Sequence, residues 1–555
     1  MKKRSIVILL ILAMMLSICA CGQSAPATEP TQQVSNEPTN PPAEPITVAA
    51  GGATEFRIIF AEGASNDIQN TVAYLQEQLA ALTGAEFKAM EDMAVSSKAE
   101  SFEILVGATD RAASKDALSG MTGSGDYLVK VDGNKIVLAG MLDMGVQEAA
   151  EKLIADLSAQ SDFALPGDYA YNGVSDSPVQ YLPAFTYGSL STSYDCGDGA
   201  DMLIYNSDET GFVSYQSDLE AAGFTKYTEN TIAQNKFATF TKDNVMVHMM
   251  SLPAMGNVRI VAQEDAILPA TAADSVTGVV QPSVTQLGLE GYDTNGSANQ
   301  IGMSFLYQLS DGSFIIVDGG HNNTVATTQL YNKMQELAPD PSNIKVVAWF
   351  LTHAHWDHLS CLLKFSEDYA GQLTVEKFIC NMPNDQEMNG GSESESTYRT
   401  RVYAAAEKLG AQIIKAYTGQ VYYLGDAVVE ILLSVEVMAP QSFEDFNNSS
   451  MIFSVTLGGT KLMQLADCGP LQSPVLVSLY GNTLKSDIVQ NAHHGYRGAT
   501  SELYRNIDPD YMFWPSGTNA FNNYKDMDYN VWVLSRVKEN WLALDQIITI
   551  NLPVQ

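Results

Sequence analysis

The chain has 555 residues, 46% of them hydrophobic and 17% charged, which excludes a disordered or fibrous protein and predicts roughly two to four domains rather than one core. Its formal net charge of −34 counts against a dedicated nucleic-acid binder, whose footprint is normally basic, although a local basic patch would override that.

Lys2, Lys3 and Arg4 precede an apolar run from Ile6 to Ile18 that is too short to span a bilayer, so residues 1–21 read as an export signal. The run ends in Ile18-Cys19-Ala20-Cys21-Gly22, which resembles the lipobox of bacterial lipoproteins. That resemblance implies lipidation at Cys21, an extracytoplasmic location at the outer face of a bacterial membrane, and membrane attachment through the lipid alone. Residues 22–50, with Pro26, Pro30, Pro38, Pro41, Pro42 and Pro45, offer almost nothing to bury and read as a tether. The four later cysteines, Cys196, Cys361, Cys380 and Cys468, are scattered singly, a spacing that suggests neither a zinc knuckle nor a disulfide scaffold.

Residues 51–178 read as a small α/β domain. Phe56–Phe60 and Phe102–Val106 are predicted strands, Ile68, Val72, Leu75, Leu79 and Leu82 recur at helical spacing, and Tyr127–Ala139 reads as a hairpin turning near Asp132-Gly133. A helix carrying Val146, Ala149, Leu153 and Leu157 closes the unit. Its layout resembles N-terminal accessory domains of some secreted carbohydrate-active enzymes. Residues 185–265 read as a second small α+β unit, with strands at Leu203–Tyr205, Phe237–Thr241, Val245–Met249 and Val258–Val261 and a helix ending near Ala222-Gly223. His248, alone in a strand, is expected to be a packing or surface residue without a chemical role.

The third unit, 280–555, holds six of the seven histidines, five of them in two tight clusters, a distribution that packing does not generate. Neutral imidazole offers a lone pair to a metal at physiological pH. The apolar strand Val346–Leu351 runs into Thr352-His353-Ala354-His355-Trp356-Asp357-His358. Residues two apart in an extended segment point the same way, so His353 and His355 can share one metal, while Asp357 and His358, beyond the turn into the next helix, can face a second.

HxHxDH after such a strand resembles the metallo-β-lactamase superfamily, over roughly residues 283 to 555. The resemblance implies a C-terminal αββα sandwich behind the two accessory domains, and two divalent metal ions, zinc first, with manganese or iron as alternatives. Upstream, a hairpin of Phe305–Leu309 and Phe314–Val317 leads into Asp318-Gly319-Gly320, where the superfamily places an aspartate that orients the metal-binding loop from behind; Asp318 takes that role. His321, just after, is a candidate substrate contact or spare ligand. Downstream, the strands Met451–Leu457 and Lys461–Ala466 lead to Asp467, whose two oxygens can bridge two cations, and the strand Asp487–Asn491 delivers Ala492-His493-His494-Gly495. One of His493 and His494 is expected to complete the second metal's shell, leaving the other to meet substrate or protonate a leaving group.

The run Asn447-Asn448-Ser449-Ser450, then Asp467, then His493-His494-Gly495 most resembles the hydrolase domain of competence-type DNA-uptake proteins, and secreted phosphorylcholine esterases are similar there. That branch acts on phosphodiesters. Three departures stand out. Gln490 occupies a place that is often basic, and the chain lacks the membrane-spanning helices of an uptake channel, which counts against DNA import. No histidine occurs from Leu359 to Ala492, so the first metal has only His353, His355 and Asp467, with Asn447 or Ser450 able to compensate through a water. This gap argues against a β-lactamase.

The expected enzyme is therefore a metal-dependent hydrolase in which two cations lower the pKa of a shared water, with Asp357, His493 and His494 at the chemistry and Tyr496, Arg497 and Thr500 as candidate helpers around a phosphodiester or other small-molecule substrate. The same site acting on an ester, lactone or amide is one alternative. A surface binding protein with a vestigial metal centre is another.

Overall fold

A computed structural model of the chain describes residues 44–96, 100–288, 301–383, 393–439, 445–543 and 547–554. The export signal, Cys21 and the tether as far as residue 43 lie outside the described residues. The last residues assigned to the tether do not belong to it: Ile46–Thr47 pairs with Ala164–Leu165, and Val48 is fully buried. Ile46, Val48 and Ala49 supply the apolar surface that a proline-rich spacer lacks, and they join the first core.

That first unit is a six-stranded sheet in which Arg57–Phe60, Glu103–Val106 and Lys135–Gly140 run parallel, with helices Asn66–Thr83 and Asp143–Ser158 packed on one face through Leu75, Leu79, Ala149 and Leu153. Strand Asp126–Asp132 pairs with Lys135–Gly140 so that Gly133-Asn134, one residue later than expected, forms the turn. The sequence pattern misses the short helix Ala112–Ser119 and the strands Lys88–Glu91 and Ala170–Val174, none of which carries a long apolar period.

The second unit is an antiparallel sheet in the order Thr225–Ile232, Asn235–Lys242, Val245–Leu252, Asn257–Glu264, Ala200–Asn206, Ser189–Gly197. Helix Glu209–Ala221 covers one face through Phe212, Tyr215 and Leu219. The other face is also buried: Met202, Ile204, Phe237, Met246 and Met250 share a core with Tyr417, Leu433 and Leu476 of the third unit. Strand Val245–Leu252 is accordingly buried at every position, which explains why it is apolar apart from His248 and Ser251.

The third unit is the expected sandwich. One sheet contains the parallel strands Phe314–Asp318, Lys345–Phe350, Lys377–Cys380 and Gln412–Lys415, extended antiparallel by Ser304–Gln308, Ser283–Gln286 and Ile548–Asn551. The other holds Val421–Leu424, Ala427–Leu433, Ile452–Leu457, Thr460–Gln464, Ile488–Gln490, Tyr511–Trp514 and Glu539–Leu542, the last four parallel. Phe305, Tyr307, Phe350, Phe453, Leu462 and Phe513 fill the space between them. Helices Thr324–Leu337, Trp356–Tyr369 and Glu393–Lys408 cover the first sheet, and Gln472–Tyr480, Ser501–Ile507 and Asp528–Arg536 flank the second. Pairing of Ser283–Gln286 with Ile548–Asn551 makes the two ends of this region neighbours in one sheet. Every histidine-bearing loop leaves the carboxyl end of a parallel strand, where α/β sheets characteristically present ligand sites.

Candidate metal centre

Lys345–Phe350 is a buried strand, and the chain beyond it crosses Thr352-His353-Ala354-His355 before helix Trp356–Tyr369 begins. Asp357 falls in the first turn of that helix, where the unpaired backbone N–H groups favour a negative charge. Asp318 ends its strand with φ +55, the left-handed region, and its fully buried carboxylate turns back toward the loop. Its Oδ1 accepts the Thr352 N–H at 2.8 Å, and Oδ2 accepts the Thr352 hydroxyl at 2.8 Å and His358 Nδ1 at 2.6 Å. With Nδ1 donating, His358 Nε2 is left with its lone pair aimed at the centre.

The second half of the site comes from the other sheet. Ala466 has φ +49, and the turn is held by Gln490, whose Oε1 accepts Leu465 N–H at 2.8 Å and whose Nε2 donates to Ala466 O at 3.0 Å. A neutral amide does what a cation cannot here, since it both accepts and donates. Asp467 follows, with its N–H donating to Ser450 Oγ at 3.3 Å. His493 and His494 are consecutive non-glycine residues in the left-handed region, at φ 51 and φ 53. Such residues cost on the order of 1–3 kcal/mol each and persist where the surroundings hold them. Here Ala466 O accepts His493 N–H at 3.0 Å, Trp514 Nε1 donates to His494 O at 2.8 Å, and Asn530 Nδ2 donates to Gly495 O at 2.8 Å. Pro515 O, 2.8 Å from His494 Nδ1, accepts its proton and frees Nε2.

The side chains converge on Asp467. Its Oδ1 lies 3.2 Å from His358 Nε2 and 3.6 Å from His494 Nε2, and its Oδ2 lies 3.7 Å from both His353 Nε2 and His493 Nε2. Asp357 Oδ2 is 3.1 Å from His494 Nε2 and 4.0 Å from His358 Nε2. Two donor groups compact enough to hold a cation result, His353-His358-Asp467 and Asp357-His358-His494, all buried. His353 Nε2 and Asp467 Oδ1 are buried without a hydrogen-bond partner, an expensive arrangement for polar atoms unless something of opposite charge occupies the space they face. The donor set, imidazole nitrogens and carboxylate oxygens around desolvated lone pairs, fits divalent zinc.

Electrostatics carries the same signature. Burial penalises the charge on His353 and holds its pKa well below the usual imidazole range. Burial opposes the charge on His358 too, but Asp467, Asp318 and Asp357 outweigh it and hold that pKa well above the ordinary value. Asp467 is buried, which favours its neutral form, yet His358, His494 and His493 hold it ionised. The carboxylates thus favour positive charge at this point.

Several candidate residues stand elsewhere. His355 is partly exposed and faces Asp445, with Nε2 at 3.3 Å from Oδ1, rather than Asp467. His321 is not an open substrate contact: it is buried, its Nε2 donates to Ile301 O at 2.7 Å, its ring lies edge-on to Trp356, and burial pushes its pKa down to about 4. Thr500 caps helix Ser501–Ile507 by accepting Leu503 N–H. Ser450 is fully buried behind Asp467. Asn447 does reach the site, its Nδ2 lying 3.4 Å from His493 Nε2. Tyr496 and Arg497 are exposed, Arg497 over the Tyr496 ring and Tyr496 beside His493. Cys468 is a buried filler against Gly469 and Ser473. Sequence reasoning missed Asp445, Gln490 as a brace, and the Pro515 carbonyl. Asp445, two residues before Asn447, carried a faint signal; a backbone carbonyl carries none.

Residues 299–509 match the model of the metallo-beta-lactamase superfamily. The chain carries a metallo-β-lactamase superfamily domain. ComE operon protein 3 of Bacillus subtilis (strain 168) is 27% identical over 209 residues, which is 37% of this chain and 24% of that protein. The chain thus spans about a quarter of the length of that relative. Among solved structures, the metallo-β-lactamase-fold protein YhfI of Bacillus subtilis is similar at 13% identity, covering 49% of this chain and all of that one with a TM-score of 0.30. Zinc-bound PqqB of Methylobacterium extorquens is similar at 12% identity, with 49% and 100% coverage and a TM-score of 0.32. Within the matched region, His353, Asp357, His358, Asp467 and His494 lie together in two compact groups that could hold a metal ion.

Proposed function

We propose that the protein is a lipid-anchored, extracytoplasmic hydrolase of phosphodiester bonds that works with two divalent cations. The observation that carries the proposal is the single buried carboxylate of Asp467, whose two oxygens face two different sets of histidines. A lone structural cation needs no bridging group. His353 and Asp467 would hold one cation, with His355, turned toward Asp445, outside that set, and Asp357, His358, Asp467 and His494 would hold the other. When bound, such a pair supplies a water activated at neutral pH and draws off the charge that builds on the non-bridging oxygens of a phosphate.

The chain's own residues perform the remaining tasks. Asp318 and the Pro515 carbonyl fix the tautomers of His358 and His494 so that each turns Nε2 inward. Arg497 places a guanidinium next to the histidine turn, suited to a phosphate oxygen, and the Tyr496 ring lies beside His493. Phosphodiesters are favoured over esters or amides by this cation and by the resemblance to the competence-type branch. The lipobox-like Ile18–Gly22 segment supports anchoring through Cys21.

Purified protein is expected to contain zinc, or manganese or iron, and to cleave bis(p-nitrophenyl) phosphate in preference to a lactone or a β-lactam. Asp467→Ala should lose metal and turnover together. Full activity after exhaustive chelation would refute the metal mechanism, and preference for the lactone would refute the substrate class. Intact-mass analysis of the membrane fraction should show the diacylglycerol mass on Cys21.

A further inference from the structure

We infer that His493 is a ligand of the first cation, so that the two histidines of one turn are divided between the two metals. This rests on the two-metal reading above. A gap motivates it: no histidine occurs from Leu359 to Ala492, which leaves the first position short of a nitrogen donor, and His355 turns toward Asp445. The geometry supplies the missing donor. His493 Nε2 and His353 Nε2 lie at the same distance, 3.7 Å, from the same oxygen, Asp467 Oδ2. His494 and His358 approach the other oxygen, and His494 alone of the pair contacts Asp357.

A further observation agrees. The His353 Nε2 lone pair is buried and unpartnered, so a cation beside Asp467 Oδ2 would relieve it. The consecutive left-handed residues provide the means: the turn separates the two imidazoles, with ring centroids 6.2 Å apart and planes at 65°, and sends them to different oxygens of one carboxylate. A zinc-class cation is the ligand this donor set selects. His493 is then a metal ligand and not the acid that protonates the leaving group.

Chelator-stripped full-length protein reloaded with zinc, and separately with cobalt(II), tests this. Wild type is expected to take up two equivalents. His493→Gln should bind one of them at least 100-fold more weakly, His353→Ala should lose the same equivalent, and the double variant should lose nothing more, whereas His493→Gln with Asp357→Ala should lose both. His493→Cys should restore the second equivalent and give a thiolate-to-cobalt charge-transfer band, which appears only where residue 493 touches the metal. Circular dichroism and melting temperature of the Gln and Cys variants confirm folding. Two tight equivalents in His493→Gln, or no charge-transfer band in a folded His493→Cys that binds cobalt, would overturn the assignment while leaving the two-metal reading intact. Wild-type protein that binds no metal would overturn both.

Discussion

Replacing Asp318 by asparagine changes one atom and should damage the centre without touching a donor to the metal. The carboxylate offers acceptors at both oxygens: Thr352 N–H uses Oδ1, and the Thr352 hydroxyl and His358 Nδ1 use Oδ2. An amide has one acceptor. Its oxygen must stay at the Oδ1 place, because the Thr352 backbone N–H cannot rotate away, so the NH2 group falls opposite His358 Nδ1. His358 then either keeps its Nδ1 proton and faces donor with donor, or moves the proton to Nε2 and gives up the lone pair that the cation needs. A buried unmatched donor costs about 1–3 kcal/mol, and at about 1.4 kcal/mol per tenfold this weakens cation binding by a factor on the order of 10 to 100. Zinc titration of the stripped protein against a chromophoric competitor measures it, with circular dichroism as the control for folding. Asp318→Asn that binds zinc with wild-type affinity would show that the carboxylate does not set the His358 tautomer.

His248 predicts an acid-sensitive junction between the second and third units. It is buried between Phe237 and Tyr417, accepts the Thr239 hydroxyl at Nδ1 and donates from Nε2 to Thr418 O, both at 2.9 Å, and burial pushes its pKa down to about 4 against a small opposing effect of that carbonyl. Because the unfolded chain binds this proton near pH 6.5 and the folded chain near 4, stability falls as pH drops through that window. The loss is about 2 kcal/mol by pH 5. Urea unfolding at pH 7 and pH 5 should show a shallower pH dependence in His248→Gln; an unchanged slope would place the acid sensitivity elsewhere. Gly495→Ala should lower stability by about 2–5 kcal/mol and release metal, since φ is +87 and an added Cβ would lie 2.1 Å from the buried Trp514 ring. A normal melting temperature with full zinc content would refute this.

The sandwich and the convergence of the histidine loops were legible because their signals are local. Short strands followed by His353–His358, Asp467 and His493-His494 concentrate several donors in short segments, and a donor at a strand's end has one place to go. What was not legible depends on long-range closure. The partition of His493 and His494 between the oxygens of Asp467 follows from backbone held at φ 51 and 53 by Trp514, Asn530 and Ala466, residues whose types say nothing of that role. That Thr500 caps a helix was likewise not legible, because proximity in sequence to a histidine pair does not reveal a cap. Gln490 looked like a lost cation, yet it is a brace that needs both an acceptor and a donor.

The second unit is also less separate than its own pattern of strands suggests, and this bears on the site. Arg259, buried on its sheet, donates from Nη1 to Glu436 O at 2.6 Å and Ala439 O at 3.1 Å, the carbonyls around the short helix Val435–Met438. The Glu436 carboxylate accepts Thr418 N–H at 2.7 Å and Asn381 Nδ2 at 3.0 Å, while His248 holds the Thr418 carbonyl. A buried arginine that satisfies carbonyls rather than a carboxylate spends its charge on the backbone, and it does so a few residues before Asp445 and Asn447, which meet His355 and His493. Gly419, against whose Cα position the Phe237 ring packs so closely that a Cβ would lie 2.0 Å from it, fixes the same junction from the apolar side. The second sheet therefore shares a buried core with the sandwich, and removing it would expose Met202, Phe237 and Met250 together with the face of the sandwich they cover.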